Sequence, residues 1–134
     1  MKSRKIKLTI TGCLGRMGQQ LIKSANKNSQ FKITSVTENK PHKKKISGIL
    51  PKLNSEEAFK KTDVIIDFTI PKCTLEVLKF AVKQKKKLII GTTGFSKKEE
   101  SIIKNFSKKI PILKAGNMSL GINLLMYLTE ITSK

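Results

Sequence analysis

Three glycines at every third position, Gly12, Gly15 and Gly18, shape the stretch "GCLGRMG" directly behind the alternating segment "KIKLTIT". In that segment Ile6, Leu8 and Ile10 alternate with lysine or threonine, which is the period of a strand. Behind the glycines, "MGQQLIKSANK" carries Met17, Leu21, Ile22 and Ala25 at helical spacing, and "FKITSVT" alternates again. The chain therefore opens with β-α-β, and the first turn of that unit is made of residues that leave its backbone bare. This order commits the chain to a parallel sheet with crossover helices.

The remainder repeats the alternation. "DVIIDF" and "KLIIG" are nearly unbroken apolar runs, expected of strands buried on both faces. Pro71 fits the first turn of a helix, "TLEVLKFAVKQ", with Leu75, Leu78, Val82 and Phe80 turned inward. Ser96 and Glu99 stand in capping-box register at the head of "SKKEESIIKNF", and "IPILKA" supplies a further strand. "SEEAFKK" reads as a short helix capped by Asn54 or Ser55. "ENKPHKKKISGILPKLNS", with two prolines, a glycine and a lysine run, reads as a loop or short excursion. The expected class is α/β, a Rossmann-like doubly wound parallel sheet. Residues 1–118 form a dinucleotide-binding domain, and 119–134 a helix with Leu124, Leu128 and Ile131 on one stripe.

In a fold of this kind the first strand-to-helix turn has a physical task. One glycine permits the bend, a second removes bulk beside a pyrophosphate, and a third lets helix and strand pack closely. The helix start then offers free N–H groups and a positive dipole end to phosphate. Two neighbours strengthen this reading. Glu38 ends the second strand about 20 residues past the last glycine, where an acid accepts bonds from ribose hydroxyls. Arg16 lies inside the turn of a chain whose only other arginine is Arg4, and its planar guanidinium suits a phosphate or an adenine face. The bland counterpart is a structural turn, an exposed arginine and a strand-end glutamate.

Composition limits the alternatives. The formal net charge is +19 over 134 residues, but the positive charge is almost all lysine, spread over every segment, and aromatics are 5% of the chain. Nucleic-acid readers use arginine forks and stacking rings, so diffuse lysine describes a solvated surface that also draws in small anions. Only Cys13 and Cys73 are present, without paired spacing, which argues against a disulfide framework or metal site and favours a reducing, cytoplasmic compartment. The basic start "MKSRK" runs into glycines instead of a long apolar core, so neither a signal peptide nor a membrane span is expected.

With these residues in place, the chain resembles the N-terminal half of the 4-hydroxy-tetrahydrodipicolinate reductase family, once called dihydrodipicolinate reductases, which are pyridine-nucleotide enzymes of the diaminopimelate route to lysine. The resemblance covers nearly the whole chain: "GCLGRMG" matches the family's glycine turn, "DFTIP" its strand-end motif, "GTTGF" its next loop, and "AGNMSLGINL" a junction usually seen as "APNMSxGVN" or "AANFSxGVN". It implies that Gly12, Cys13, Leu14, Gly15, Arg16 and Met17 hold the coenzyme's pyrophosphate and adenosine, and Glu38 its ribose. Gly91, Thr92, Thr93, Ala115, Gly116, Asn117 and Met118 then lie near the nicotinamide. Read by itself, "GTTGF" is also compatible with a tight turn carrying a packed Phe95.

Three departures from the family pattern matter. Asn39 stands where the family often has an arginine that accepts the 2′-phosphate of NADPH, so NADH is the favoured coenzyme unless Lys40 or Lys43, Lys44 and Lys45 compensate. Cys13 replaces a small residue, either as a thiol made acidic by the helix start or as a buried inert one. The family's "HHxxKxDAPSGTA" stretch, which acts on a dicarboxylate substrate, is absent, and the single histidine, His42, lies in the lysine loop. The expectation is a coenzyme-binding half whose C-terminal substrate domain, which also mediates homo-oligomerisation, is missing. Two other readings stay open: a non-catalytic nucleotide-binding module, and a basic nucleic-acid-associated protein.

Overall fold

A computed structural model describes residues 4–133. The first three residues of the basic start, and Lys134, lie outside them. The described chain runs β1 (Ile6–Thr11), α1 (Arg16–Lys27), β2 (Phe31–Glu38), β3 (Lys52–Leu53), α2 (Glu56–Phe59), β4 (Val64–Asp67), α3 (Pro71–Lys83), β5 (Lys87–Ile90), α4 (Lys97–Ser107), β6 (Ile112–Lys114) and α5 (Leu120–Thr132). The six strands form one sheet in the order β3-β2-β1-β4-β5-β6, and every pairing is parallel. This is the Rossmann-like arrangement expected from the alternation. The order reverses between β1 and β4, where an open parallel sheet leaves a crevice at its carboxyl edge.

Local chemistry accounts for the helix starts. Ser96 Oγ accepts from Glu99 N while the Glu99 carboxylate accepts from Ser96 N at 2.8 Å, completing the capping box. Ser55, not Asn54, caps α2 by accepting from Ala58 N. Pro71 opens α3 at a position where its missing N–H has no intrahelical partner to lose. β3 is a strand that the loop-like sequence does not reveal. Its two residues pair with Thr37 and Glu38 and extend the sheet by one edge.

The core lies mostly on one face. Ala58 and Phe59 of α2, Val77, Leu78 and Ala81 of α3 and Ile103 of α4 close over Ile65, Leu88 and Ile90. The buried stripe of α3 is Thr74, Val77, Leu78 and Ala81, so Leu75, Phe80 and Val82 flank it and do not lead it. On the opposite face α1 covers β1 and β2, with Ile22 against Ile10, Cys13 and Val36. Met17 projects from the first turn of α1 at 46% exposure, off the apolar stripe.

The expectation that β4 and β5 are buried on both faces is corrected here. Ile65, Leu88 and Ile90 are enclosed, but Ile66 and Ile89 on the other face are only half-buried and Leu113 beside them is 60% exposed. The reason is that α1 packs chiefly on β1 and β2, leaving an open cavity between its flank and Ile66 and Ile89. An apolar run shows that a strand tolerates burial without showing what covers it. α5 buries none of its residues, including the expected stripe of Leu124, Leu128 and Ile131. Among the described residues no helix is long and apolar enough to cross a membrane.

Candidate functional site

The parallel register brings the ends of five strands into one row. Thr11 pairs with Thr37 and with Asp67, Asp67 with Ile90, and Ile90 with Lys114. The segments that leave this row are 12–15, 38–39, 68–70, 91–94 and 115–118. All three groups of residues singled out in the sequence therefore lie along one edge of the sheet, and Ala115 N donates to Ile90 O at 3.2 Å to hold the last two together.

The glycine turn has the geometry of a cradle. Gly12 has φ +62°, where a side chain is strained. A Cβ at Gly18 would lie 2.2 Å from Gly12 O and 2.9 Å from the Cys13 Cα, so α1 rests directly on the turn's backbone. At Gly15 a Cβ would approach only Gly12 O, at 3.2 Å, leaving its outer side open. Gly15 caps α1 without any side-chain bond, and the first turn of α1 holds no acid. The bond from Gln19 N to Gly15 O, at 3.0 Å, opens the helical ladder, so the N–H groups of Arg16, Met17 and Gly18 precede it. Bare main chain, an uncapped helix start and the exposed Arg16 make a place for an anionic diphosphate.

Glu38 joins that turn. Its carboxylate accepts from Leu14 N at 2.7 Å and from Asn39 N at 3.3 Å, and it borders a cleft of about 470 Å³ shared with Gly12, Gly15, Thr69, Ile70 and Cys73. No lysine or arginine is among the residues that wall this cleft. A larger cleft of about 590 Å³ lies between α1 and the lysine loop, walled by Lys23, Lys27, His42, Lys44 and Lys45. Leu14 borders both, which places the cationic cleft beside the acid without making it part of the same cavity.

Of the two readings of Cys13, the structure supports the inert thiol. It is fully buried, and burial first, then the charge of Glu38, pushes its pKa up to about 11. Iodoacetamide at pH 8 is accordingly expected to leave Cys13 unmodified in the folded chain and to label it only in denaturant. Mass-spectrometric peptide mapping checks this, and rapid native labelling would contradict it.

In the loop after β5 Gly91 is half-buried, Thr93 exposed and Thr92 buried, its hydroxyl bonded to Asp67. The backbone of 91–94 and the Thr93 hydroxyl are thus the groups this loop presents outward. The tight-turn reading also finds support, since Gly94 has φ +85° and Phe95 packs on the core with Lys114 Nζ 5.3 Å above its ring. Asn117 Oδ1 accepts from Ser119 N at 2.9 Å, whereas its buried Nδ2 has no partner among the described residues. Such an orphaned donor fits a ligand carbonyl. Ala115 is half-buried, Gly116 exposed, and Met118 41% exposed.

Sequence reasoning leaves the middle of the site unassigned: Asn54 reads only as a cap, and Phe68, Thr69 and Ile70 only as part of the "DFTIP" motif. The available signal was an acid and a threonine at the end of an apolar strand, "DFT", where a ligand-facing loop must begin. Among the described residues no cluster of three or more His, Cys, Asp or Glu side chains is placed to hold a metal ion.

The comparisons with known proteins agree with this geometry. Residues 6–118 match the family described as "Dihydrodipicolinate reductase, N-terminus". A 4-hydroxy-tetrahydrodipicolinate reductase of Pelagibacter ubique is 70% identical over 98% of this chain and 51% of its own length. One from Buchnera aphidicola subsp. Acyrthosiphon pisum is 46% identical over 98% of this chain and 53% of its own. Among solved structures, the dipicolinate-bound dihydrodipicolinate reductase of Paenisporosarcina sp. TG-14 superposes with a TM-score of 0.74 at 23% identity, covering 96% of this chain and 54% of that one. Homoserine dehydrogenase of S. aureus shares the fold with a TM-score of 0.68 at 18% identity, over 82% of this chain and 32% of that one. The chain spans about half the length of the curated relatives it matches. Over that half, from the glycine turn to the "AGNM" junction, the chain belongs to the dihydrodipicolinate reductase family.

Proposed function

We propose that this chain is the coenzyme-binding half of an NAD(P)H-dependent reductase that converts 4-hydroxy-tetrahydrodipicolinate to tetrahydrodipicolinate in lysine biosynthesis. The observation that carries the proposal is the single row of strand ends, with an uncapped helix start and bare glycine main chain at one end and an orphaned amide at the other. Gly12, Gly15 and the N–H groups from Arg16 to Gly18 hold the diphosphate, with Arg16 over it. Cys13, Leu14 and Met17 shape the turn around it. Glu38 accepts from the ribose hydroxyls. Gly91, Thr92 and Thr93 with Ala115, Gly116, Asn117 and Met118 orient the nicotinamide end, and the buried Asn117 Nδ2 donates to its carboxamide.

When bound, the reduced nicotinamide supplies a hydride to the conjugated ring of the substrate. The task of these residues is to hold the donor in place at that edge of the sheet, which removes translational and rotational freedom from the reaction. No residue here is assigned to the proton, since the single histidine borders the lysine cleft. The dicarboxylate substrate and homo-oligomeric assembly are assigned to the whole enzyme. Two unpaired cysteines suit a reducing cytoplasm.

NADH is the favoured coenzyme. Glu38 and Asn39 border the ribose cleft, no cation walls it, and a 2′-phosphate there would face a carboxylate. Fluorescence titration of the purified chain is expected to show saturable binding of both nucleotides, with NADH about tenfold tighter, the scale of one unfavourable charge contact. Absence of saturation by either nucleotide in folded protein would refute the proposal. Tighter NADPH binding would reverse the preference and point to Lys44 and Lys45 reaching across from the neighbouring cleft.

A further inference from the structure

The row of strand ends is tied together beneath its surface by one carboxylate. Asp67, the last residue of β4, is fully buried, and none of the ion pairs among the described residues involves it. Four threonine hydroxyls meet it instead. Thr11 and Thr69 donate to Oδ1, and Thr74 and Thr92 donate to Oδ2. The two oxygens of a carboxyl group offer about four lone-pair sites, and the four hydroxyls are arranged around them two to each oxygen. They come from the end of β1, the segment after β4, the first turn of α3 and the loop after β5. Thr92 Oγ1 also accepts from Thr69 N at 2.9 Å, which fastens segment 68–70 to loop 91–94.

Segment 68–70 in turn separates the two ends of the site. A Cβ at Gly12 would lie 2.7 Å from Thr69 Cγ2, and one at Gly91 would lie 2.0 Å from the Phe68 ring. Phe68 and Thr69 are thus wedged between the glycine turn and the "GTTG" loop, in contact with both α-carbons. Their position fixes the distance between those loops, and Asp67 fixes their position. A fully satisfied buried network of this kind rigidifies what it joins.

We propose that Asp67, backed by Thr74, is a positioning residue: it touches no ligand, and it sets the separation of the two loops so that both ends of one dinucleotide are held at once. This rests on the reading that the edge binds a nicotinamide dinucleotide. Thr74 is fully buried on α3, out of reach of any ligand in the cleft. Its hydroxyl also lies 3.0 Å from Thr92 Oγ1 and 3.2 Å from Ile70 O, so it braces the same segment from below.

The test titrates NADH and ADP, which occupies only the adenosine and diphosphate end, against the wild-type chain, Thr74→Ser, Thr74→Val and Asp67→Asn, each first shown folded by far-UV circular dichroism. Thr74→Ser keeps the hydroxyl and is expected to bind NADH within about twofold of wild type. Thr74→Val keeps the shape without the donor and is expected to bind NADH about tenfold more weakly, with ADP affinity unchanged. Asp67→Asn carries the same expectation and decides the matter where Thr74→Val does not fold. Equal weakening of NADH and ADP, or no weakening of either, overturns the proposal, as the network would then be structural only. Wild-type chain that binds neither nucleotide would remove the coenzyme reading itself, a result distinct from any pattern among the variants.

Discussion

Gly18→Ala is expected to lower the melting temperature by roughly 12 °C. The added Cβ would sit 2.2 Å from the Gly12 carbonyl oxygen and 2.9 Å from the Cys13 Cα, and both are backbone atoms that cannot rotate aside. Relief requires α1 to lift off the turn. That separates Ile22 from Ile10 and Val36, the buried residues that hold this helix to the sheet. Overpacking with no flexible neighbour costs about 3 kcal/mol, and for a chain of this length each kcal/mol moves the midpoint by roughly 4 °C. Thermal denaturation followed by circular dichroism gives the answer. Gly121→Ala, whose Cβ would meet nothing nearer than Ser119 Oγ at 3.9 Å, is the matched control and should not be destabilised. A shift for Gly18→Ala no larger than the control's would mean that helix and turn are not in the close contact described.

The second large effect belongs to Glu38. Glu38→Ala is expected to weaken NADH about 100-fold, equivalent to about 2.7 kcal/mol and within the range for charge-assisted hydrogen bonds to two hydroxyls. NADPH is expected to lose about fivefold or less, because removing the carboxylate also removes its repulsion of the 2′-phosphate. The structure adds a complication that sequence alone does not show: Glu38 also accepts from Leu14 N at 2.7 Å and so anchors the turn. Glu38→Gln separates the two roles. It retains a neutral acceptor for Leu14 N, so a loss of NADH affinity in this variant belongs to the ribose contact. Equal losses for both nucleotides across both variants would leave Glu38 as a turn anchor and nothing more.

The parts of this fold that were legible in the sequence are those encoded over short distances. The alternation of Ile6, Leu8 and Ile10 needs only the neighbouring residues to announce a strand, and Ser96 with Glu99 completes its capping box within four residues. The glycine turn was legible because three residues without side chains in fixed register have few other uses. The Asp67 network was hidden. Its partners Thr11 and Thr92 lie 56 and 25 residues away, and a threonine at a strand end reads as ordinary β propensity until the sheet brings the four together. β3 was hidden for a similar reason, since two residues paired to Thr37 and Glu38 carry no period of their own. Met17 has the right spacing for the core yet stays outside it, because the first turn of α1 stands over the edge of the sheet, where ligands sit, and not over its face.

The uneven division of the core across the two faces has a consequence for how the molecule comes apart. Ten buried side chains lock α2, α3 and α4 to the sheet, whereas four make the cluster beneath α1. Fluctuations that expose only the smaller cluster cost less than global unfolding, so native-state hydrogen exchange is expected to find the amides of the glycine turn and α1 less protected than those of α3. A ligand seated on that turn binds only while it is closed and therefore suppresses those openings by mass action. A dinucleotide held there as proposed would thus also shield this part of the chain from degradation.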